Sequence, residues 1–193
     1  MTPVELEHAF EVYFAEIERC VRNKCYWALL HLLVILPDIC AALQADDGEA
    51  DDGRYRNWCR QNFPGDKTFT PEDRYAIRCT LLHQGRTITS RGQYGSFSFV
   101  QPTDTGSVFH RLVTDFGAGI GPNLTLDVGK MAEETGLAIR RWFDDLQKPE
   151  KKQRLKNVQT YLPQLVRTGK KSIPGITGIQ TSTVSSTGSI TTS

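Results

Sequence analysis

The sequence lacks an uninterrupted apolar run long enough to cross a lipid bilayer. Its longest apolar stretch, residues 26–36, is broken by His31 and followed by Pro37, whereas a membrane-spanning helix needs about 20 consecutive apolar residues. The N-terminal residues are acidic rather than basic, which does not fit a secretory signal peptide. We therefore expect a cytoplasmic protein with no membrane partner and a buried helix over the apolar stretch.

Motifs for metals and nucleotide cofactors are also missing. The chain has 5 cysteines and no CxxC pair, so neither a disulfide framework nor a zinc site is indicated, and we expect buried, reduced thiols. The acidic turn at residues 46–53 has Asp52 where a calcium loop beginning at Asp47 requires glycine. There is no GxxxxGK[ST] phosphate loop, and the glycines of residues 117–121 have the wrong spacing for a dinucleotide turn. The prediction is no metal and no cofactor.

The net charge of +1 conceals an acidic head and a basic tail. Residues 1–52 carry 3 basic and 11 acidic side chains, whereas residues 148–193 carry 8 basic and 1 acidic. This asymmetry predicts an anionic partner for the tail, or contact between the two ends of the chain. Overall neutrality is therefore no argument against RNA as a partner.

Helical periodicity dominates the chain and predicts a mainly α fold. Helices are expected at residues 3–23, 24–44, 54–63, 71–83, 127–147 and 150–166, with Pro37 kinking or interrupting the second. Within residues 86–126, strand-like pieces at 87–90, 94–100 and 108–114 predict a small β-hairpin or three-stranded insertion. The expected organisation is a helical domain over residues 1–147, a basic helix over residues 148–167 and a flexible Ser/Thr/Gly-rich tail over residues 168–193.

The fourth predicted helix carries the residues with the clearest chemistry. Thr70 and Pro71 supply a capping hydroxyl and a proline suited to a first helical position, and Gly85 is placed to end the helix. Near that end lie Arg78, whose planar fork matches phosphate oxygens, and His83, which can transfer protons near neutral pH. RNA cleavage by internal attack of a ribose hydroxyl needs these two functions and no metal.

The segment Tyr75-Ala-Ile-Arg78-Cys-Thr-Leu-Leu-His83-Gln-Gly resembles the Arg-x4-His signature of the HEPN superfamily, including HEPN-like bacterial proteins. The resemblance covers about residues 4–147 and implies an up-and-down helical bundle to which the β insertion is added. It implies a homodimer with both motifs at one cleft and a metal-independent endoribonuclease acting on RNA, with Arg78 and His83 as catalytic residues. A role in toxin–antitoxin systems or antiviral defence, with an antitoxin or other protein partner, is implied as well.

Three further residues are expected to contact the substrate. Arg86 and Arg91 follow His83 and could extend a track for phosphates, and Tyr75 lies one helical turn before Arg78. Five residues along an ideal helix rotate through about 140° and rise about 7.5 Å, so Arg78 and His83 of one chain are not expected to converge while the helix is straight. Either a site composed of two chains or a helix that unwinds at Gly85 would bring the two residues together.

Alternatives remain open. Cys79 stands where many HEPN nucleases have a polar residue, so the chain could instead be a non-catalytic dimerisation or partner-binding module. In that case Arg78 would pair with an acid of the first helix, and His83 would cap the C-terminus of its own helix. The basic residues from Lys148 onward either bind RNA phosphates or form a solvated helix face.

Overall fold

Six α-helices and one small sheet form the part of the chain that the structure, a computed structural model, describes: residues 1–102, 109–115, 117, 119 and 121–165. The helices are α1 (Pro3–Arg22), α2 (Tyr26–Leu43), α3 (Asp52–Asn62), α4 (Pro71–Gln84), α5 (Val128–Leu146) and α6 (Lys152–Tyr161). The strands are β1 (Ser96–Val100), β2 (Leu112–Thr114) and β3 (Asn123–Asp127), and short 3-10 turns at Pro149–Lys151 and Leu162–Gln164 flank α6. The expectation of a mainly α protein is confirmed.

Helix α2 lies at the centre of the helical bundle and contacts α1, α3, α4 and α5. Its 18 residues have a mean hydropathy of 1.9, so by length and composition the whole helix could cross a membrane. The sequence alone did not suggest this, because the apolar stretch at residues 26–36 is shorter than the helix. Half of this helix is buried inside the protein, and a central bundle helix has the same composition. The helix continues through Pro37, which is itself buried.

Aromatic side chains join the first and fifth helices in the core. The Phe10 ring meets those of Trp142 and Phe143 at centroid distances of 5.9 and 5.3 Å, and Trp58 of α3 reaches Trp142 at 6.3 Å. These edge-on arrangements are favourable for aromatic pairs. The buried side chains form one hydrophobic cluster that includes β1 and β3, so the sheet packs on the helices rather than standing apart.

The sheet differs from the predicted strands. Its order is β1-β3-β2, with β1 parallel and β2 antiparallel to β3, so it is a three-stranded mixed sheet rather than a simple hairpin. The central strand, β3, was not predicted, whereas the piece at residues 87–90 makes only a single bridge, from Ile88 to Ser96. Parallel pairing of β1 with β3 joins segments far apart in the sequence, which strand-like composition alone does not reveal.

The C-terminal helix packs on the acidic turn. Asn157 donates a hydrogen bond to Asp46 Oδ1 at 2.8 Å, and the Tyr161 hydroxyl donates to the Asp46 carbonyl at 2.8 Å. Gly48 lies against the Tyr161 ring with a φ of 74°. The acidic head therefore does contact the C-terminal region, but its partners there are the uncharged side chains of Asn157 and Tyr161 rather than basic residues. The helix expected to reach residue 166 ends at Tyr161, and the predicted tail at residues 168–193 lies outside the described residues.

Candidate active site

Helix α4 begins and ends where its local sequence predicts. Thr70 and Asp73 form a reciprocal capping box, Pro71 occupies the first turn, and Gly85 ends the helix in the left-handed region with a φ of 60°. The Arg86 amide then returns to the Thr80 carbonyl at 3.2 Å. These contacts fix the direction in which the chain leaves the helix, and with it the position of Arg86.

Arg78 and His83 meet within one chain. The Arg78 Nη1 atom lies 3.2 Å from His83 Nε2, so the expectation that the two residues diverge on a straight helix is wrong. That expectation considered the helix backbone alone, whereas the long arginine side chain extends across the intervening turn. Because a guanidinium can only donate hydrogen bonds, this contact requires His83 Nε2 to accept, which leaves the ring proton on Nδ1.

Asp38 of α2 is the acid that orients Arg78. Its Oδ2 atom accepts a hydrogen bond from Arg78 Nε at 2.6 Å, and the two side chains are 12% and 22% exposed respectively. Burial raises the pKa of Asp38, although the hydrogen bond and charge of Arg78 oppose the shift. The pairing acid thus comes from α2, not from the first helix as one alternative had it. An aspartate inside an apolar helix was a signal for this role, since buried carboxylates need partners.

A surface groove of about 770 Å³ contains all five predicted site residues. Its lining comprises Tyr75, Arg78, Cys79, Thr80, His83, Gln84, Arg86, Ile88, Thr89, Ser90 and Arg91. Three arginines and no acidic residue line the groove, because Asp38 lies beneath Arg78 rather than in the wall. Within the described residues, Arg78 Nη2 has no hydrogen-bond partner. Such a wall favours binding of an anion with several oxygens.

Tyr75 and Cys79 complete the wall beside Arg78. The Arg78 and Arg56 guanidiniums lie 5.9 and 5.7 Å from the centroid of the Tyr75 ring. Burial raises the pKa of Tyr75, and a hydrogen bond to Cys79 acts in the same direction. The Cys79 sulfur lies 4.0 Å from Arg78 Nη1 and 3.7 Å from Arg91 Nη1, so it joins the two arginines across the groove.

A second cluster of charges holds α4 against α5 and the sheet insertion. Arg74 Nη2 donates to Asp66 Oδ2 at 2.9 Å, and Arg111 Nη2 contacts Asp66 at 2.9 Å and Glu134 Oε1 at 2.8 Å. His110, for which the sequence suggested no partner, lies 3.0 Å from Glu134 through Nε2. Burial alone would raise the pKa of Glu134, but the His110 hydrogen bond and the arginine charges bring it below its ordinary value.

This second cluster is structural in character. The guanidinium of Arg74 lies between the rings of Phe63 and Phe69, at 3.6 and 4.1 Å from their centroids. The His110 Nδ1 atom accepts the Asp127 amide at 3.2 Å, so Nε2 carries the proton and donates to Glu134. The cluster thereby links Arg74 of α4 and Glu134 of α5 to Asp66 and to residues 110–111.

The remaining candidates lie away from the groove. His31 is half-buried and donates from Nδ1 to the Trp27 carbonyl of its own helix at 2.8 Å, and His8 pairs with Glu11 on the surface at 3.1 Å. In the described ranges no group of three or more potential ligands could hold a metal ion. The five cysteines are all free; Cys25 is exposed, which departs from the expectation of buried thiols.

Comparison of the chain with protein-family models, with curated proteins and with solved structures found no match in any of the three.

Proposed function

We propose that this chain is a metal-independent endoribonuclease or RNA-targeting effector of HEPN type. The observation that carries the proposal is the Arg78–His83 contact of 3.2 Å, held by Asp38 at one side of an acid-free groove. A phosphate-binding cation and a proton-transfer group at one point are what RNA cleavage by internal attack requires. The resemblance to HEPN proteins in this helix adds support from the sequence.

In the proposed reaction the ribose 2′-oxygen attacks phosphorus and the bond to the 5′-oxygen breaks. The bound phosphate replaces His83 as the partner of the Arg78 guanidinium, and His83 Nε2 then accepts the proton of the 2′-hydroxyl. The protonated imidazole returns that proton to the leaving 5′-oxygen, which yields a 2′,3′-cyclic phosphate and a free 5′-hydroxyl. The Arg78 guanidinium, held through Nε by Asp38, stabilises the negative charge that grows on the phosphate oxygens.

The decisive experiment measures RNA cleavage in EDTA by the wild type and by the His83→Ala and Arg78→Ala variants. We expect each substitution to lower the rate by at least about 100-fold, since general acid–base catalysis and charge stabilisation each contribute on that scale. His8→Ala and Arg60→Ala are matched controls, because both residues lie in surface ion pairs outside the groove. Cleavage in EDTA that survives His83→Ala would refute the acid–base role.

A homodimer is also proposed, on the basis of the HEPN resemblance. The contact within one chain means that a single protomer already carries both groups, so dimerisation would bring two such sites together rather than complete one. Light scattering tests the oligomeric state. Placement in toxin–antitoxin systems or antiviral defence belongs to the same proposal and is tested by growth on expression of wild type and His83→Ala.

The second candidate is a non-catalytic partner-binding module, and one surface favours it. On α2, Trp27 is 55% exposed and Ile35 is 38% exposed, on the side of the helix that the bundle does not cover. Exposed apolar side chains that share a helix face are suited to protein contact. Absence of wild-type cleavage across varied single-stranded and structured RNAs would favour this module over the nuclease.

A further inference from the structure

A second groove adjoins the first and shares two residues with it. This neighbouring groove has a volume of about 850 Å³, and both grooves are lined by Tyr75 and Arg91. Besides these two, its lining comprises Asp52, Arg56, Asp66, Lys67, Thr70, Glu72, Gly92 and Gln93. One extended ligand could therefore occupy both grooves by passing Tyr75.

The two grooves differ in charge. The groove at His83 is lined by three arginines and no acid, whereas the neighbouring groove is lined by three basic and three acidic residues. Those acids are themselves paired: Asp52 contacts Arg56 at 2.5 Å, Asp66 contacts Arg74 at 2.9 Å, and Glu72 contacts Arg60 at 3.1 Å. The first groove thus favours an anionic group, whereas the charged residues that line the second are equal in number, three basic and three acidic.

The Tyr75 ring lies at the junction and lines both grooves. Arg56 and Arg78 lie 5.7 and 5.9 Å from its centroid, whereas Arg74, which stacks closely in the core, lies 3.6 Å from the Phe63 centroid. Neither guanidinium therefore stacks closely on the tyrosine ring. Arg56 is 36% exposed, so its side chain can move to cover a ring stacked on Tyr75.

We infer that the neighbouring groove is a nucleobase subsite, in which Tyr75 stacks on the base of a nucleotide whose phosphate lies in the groove at His83. A nucleotide has this division into an anionic phosphate and an uncharged aromatic base. Because a base must be unpaired to stack on a protein ring, the substrate class is single-stranded RNA. The inference rests on the proposed function and deepens it by assigning recognition of the base to Tyr75 and Arg56.

The test compares adenosine 5′-monophosphate with ribose 5-phosphate, which has a hydroxyl group at C1 in place of the base. Calorimetry should show that the wild type binds the nucleotide at least about fivefold more tightly, since stacking of one base on an aromatic side chain contributes on that scale. Tyr75→Leu should abolish this difference in affinity between the two ligands, and Tyr75→Phe should preserve it. Thermal unfolding of both variants tests whether the ring, which lies 5.5 Å from Tyr55, is needed for folding.

Arg56→Gln provides a second test that leaves the Tyr75 ring intact, with Arg54→Gln as the matched control on the same helix, since Arg54 pairs with Asp47 outside the groove. We expect Arg56→Gln to lower the ratio of the affinities for the two ligands at least about twofold, and the control variant to leave it unchanged, because only Arg56 of the two residues lines the groove. Equal wild-type affinity for the two ligands, or a ratio that survives Tyr75→Leu and Arg56→Gln, would overturn the base subsite while leaving the phosphate groove intact. Failure to bind either ligand would overturn the proposed phosphate groove and the subsite together.

Discussion

Asp73 joins the start of α4 to the loop that carries Arg91, and its replacement by asparagine is expected to be costly. The side chain is fully buried, and its Oδ2 atom accepts from the Thr70 amide, the Thr70 hydroxyl and the Gln93 side chain at 3.1, 2.6 and 3.0 Å. Its Oδ1 atom accepts from the Gln93 amide at 2.7 Å. Asp73→Asn keeps the shape but turns one acceptor into a donor that faces another donor.

The magnitude follows from these contacts. Whichever way the introduced side-chain amide is oriented, at least one backbone donor of these partly buried contacts loses its acceptor, at about 1–3 kcal/mol, and the other bonds lose the assistance of a charge. The negative charge near the N-terminus of α4 adds a few tenths of a kcal/mol. We expect Asp73→Asn to lower the free energy of unfolding by about 3 kcal/mol, a large part of a typical total of about 5–15 kcal/mol.

Urea denaturation followed by far-UV circular dichroism measures this change. The control is Glu72→Gln at the adjacent position, whose side chain is 46% exposed and pairs with Arg60 on the surface, and which should change stability by no more than about 0.5 kcal/mol. Binding of inorganic phosphate should weaken in Asp73→Asn, since Arg91 lies two residues before Gln93. A loss of less than about 1 kcal/mol would refute the reasoning that Asp73 accepts all of these bonds.

Two further predictions concern acid stability and one backbone position. The pKa of Glu134 is lowered by folding, so its stabilising effect should be complete well above its ordinary value of 4.5 and should be lost as the pH falls below that value. In urea denaturation at several pH values, the stability difference between wild type and Glu134→Gln should therefore shrink in acid, with Glu133→Gln at the adjacent exposed position as the comparison variant; a constant difference for Glu134→Gln would contradict the linkage. Gly48→Ala should lower stability by about 2 kcal/mol, because a φ of 74° is unfavourable for alanine and its Cβ would press on the Tyr161 ring. Gly65 has the same φ, but no atom lies within 4 Å of where an added Cβ would stand. In thermal unfolding, Gly65→Ala should therefore lose only the stability that the unfavourable backbone conformation costs. Equal losses of stability in the two variants would refute the contact between Cβ and the Tyr161 ring.

Local sequence was sufficient to predict α4 and its boundaries. The capping residues Thr70 and Asp73 are three positions apart, and Gly85 ends the helix through its own backbone conformation. Interactions of this kind form within one or two turns, so they can be recognised without knowledge of the rest of the fold. The five residues expected at the site follow from the same helix and the loop after it, and they line one groove for that reason.

Tertiary structure alone decided what surrounds those residues. Asp38 comes from α2 and Arg56 from α3, and neither position is marked by its spacing from Arg78 in the sequence. The pairing of β1 with β3 likewise depends on contacts between distant segments, so the central strand was missed.

By itself, then, the sequence determined the helical character of the chain, the ends of α4 and the placement of Arg78 and His83 near one of those ends. The meeting of these two side chains, their orientation by Asp38 and the contrast in charge between two adjoining grooves were decided only when the helices packed. The physical reason is range: capping and periodicity act over a few residues, whereas burial, ion pairing and groove shape depend on segments that folding brings together.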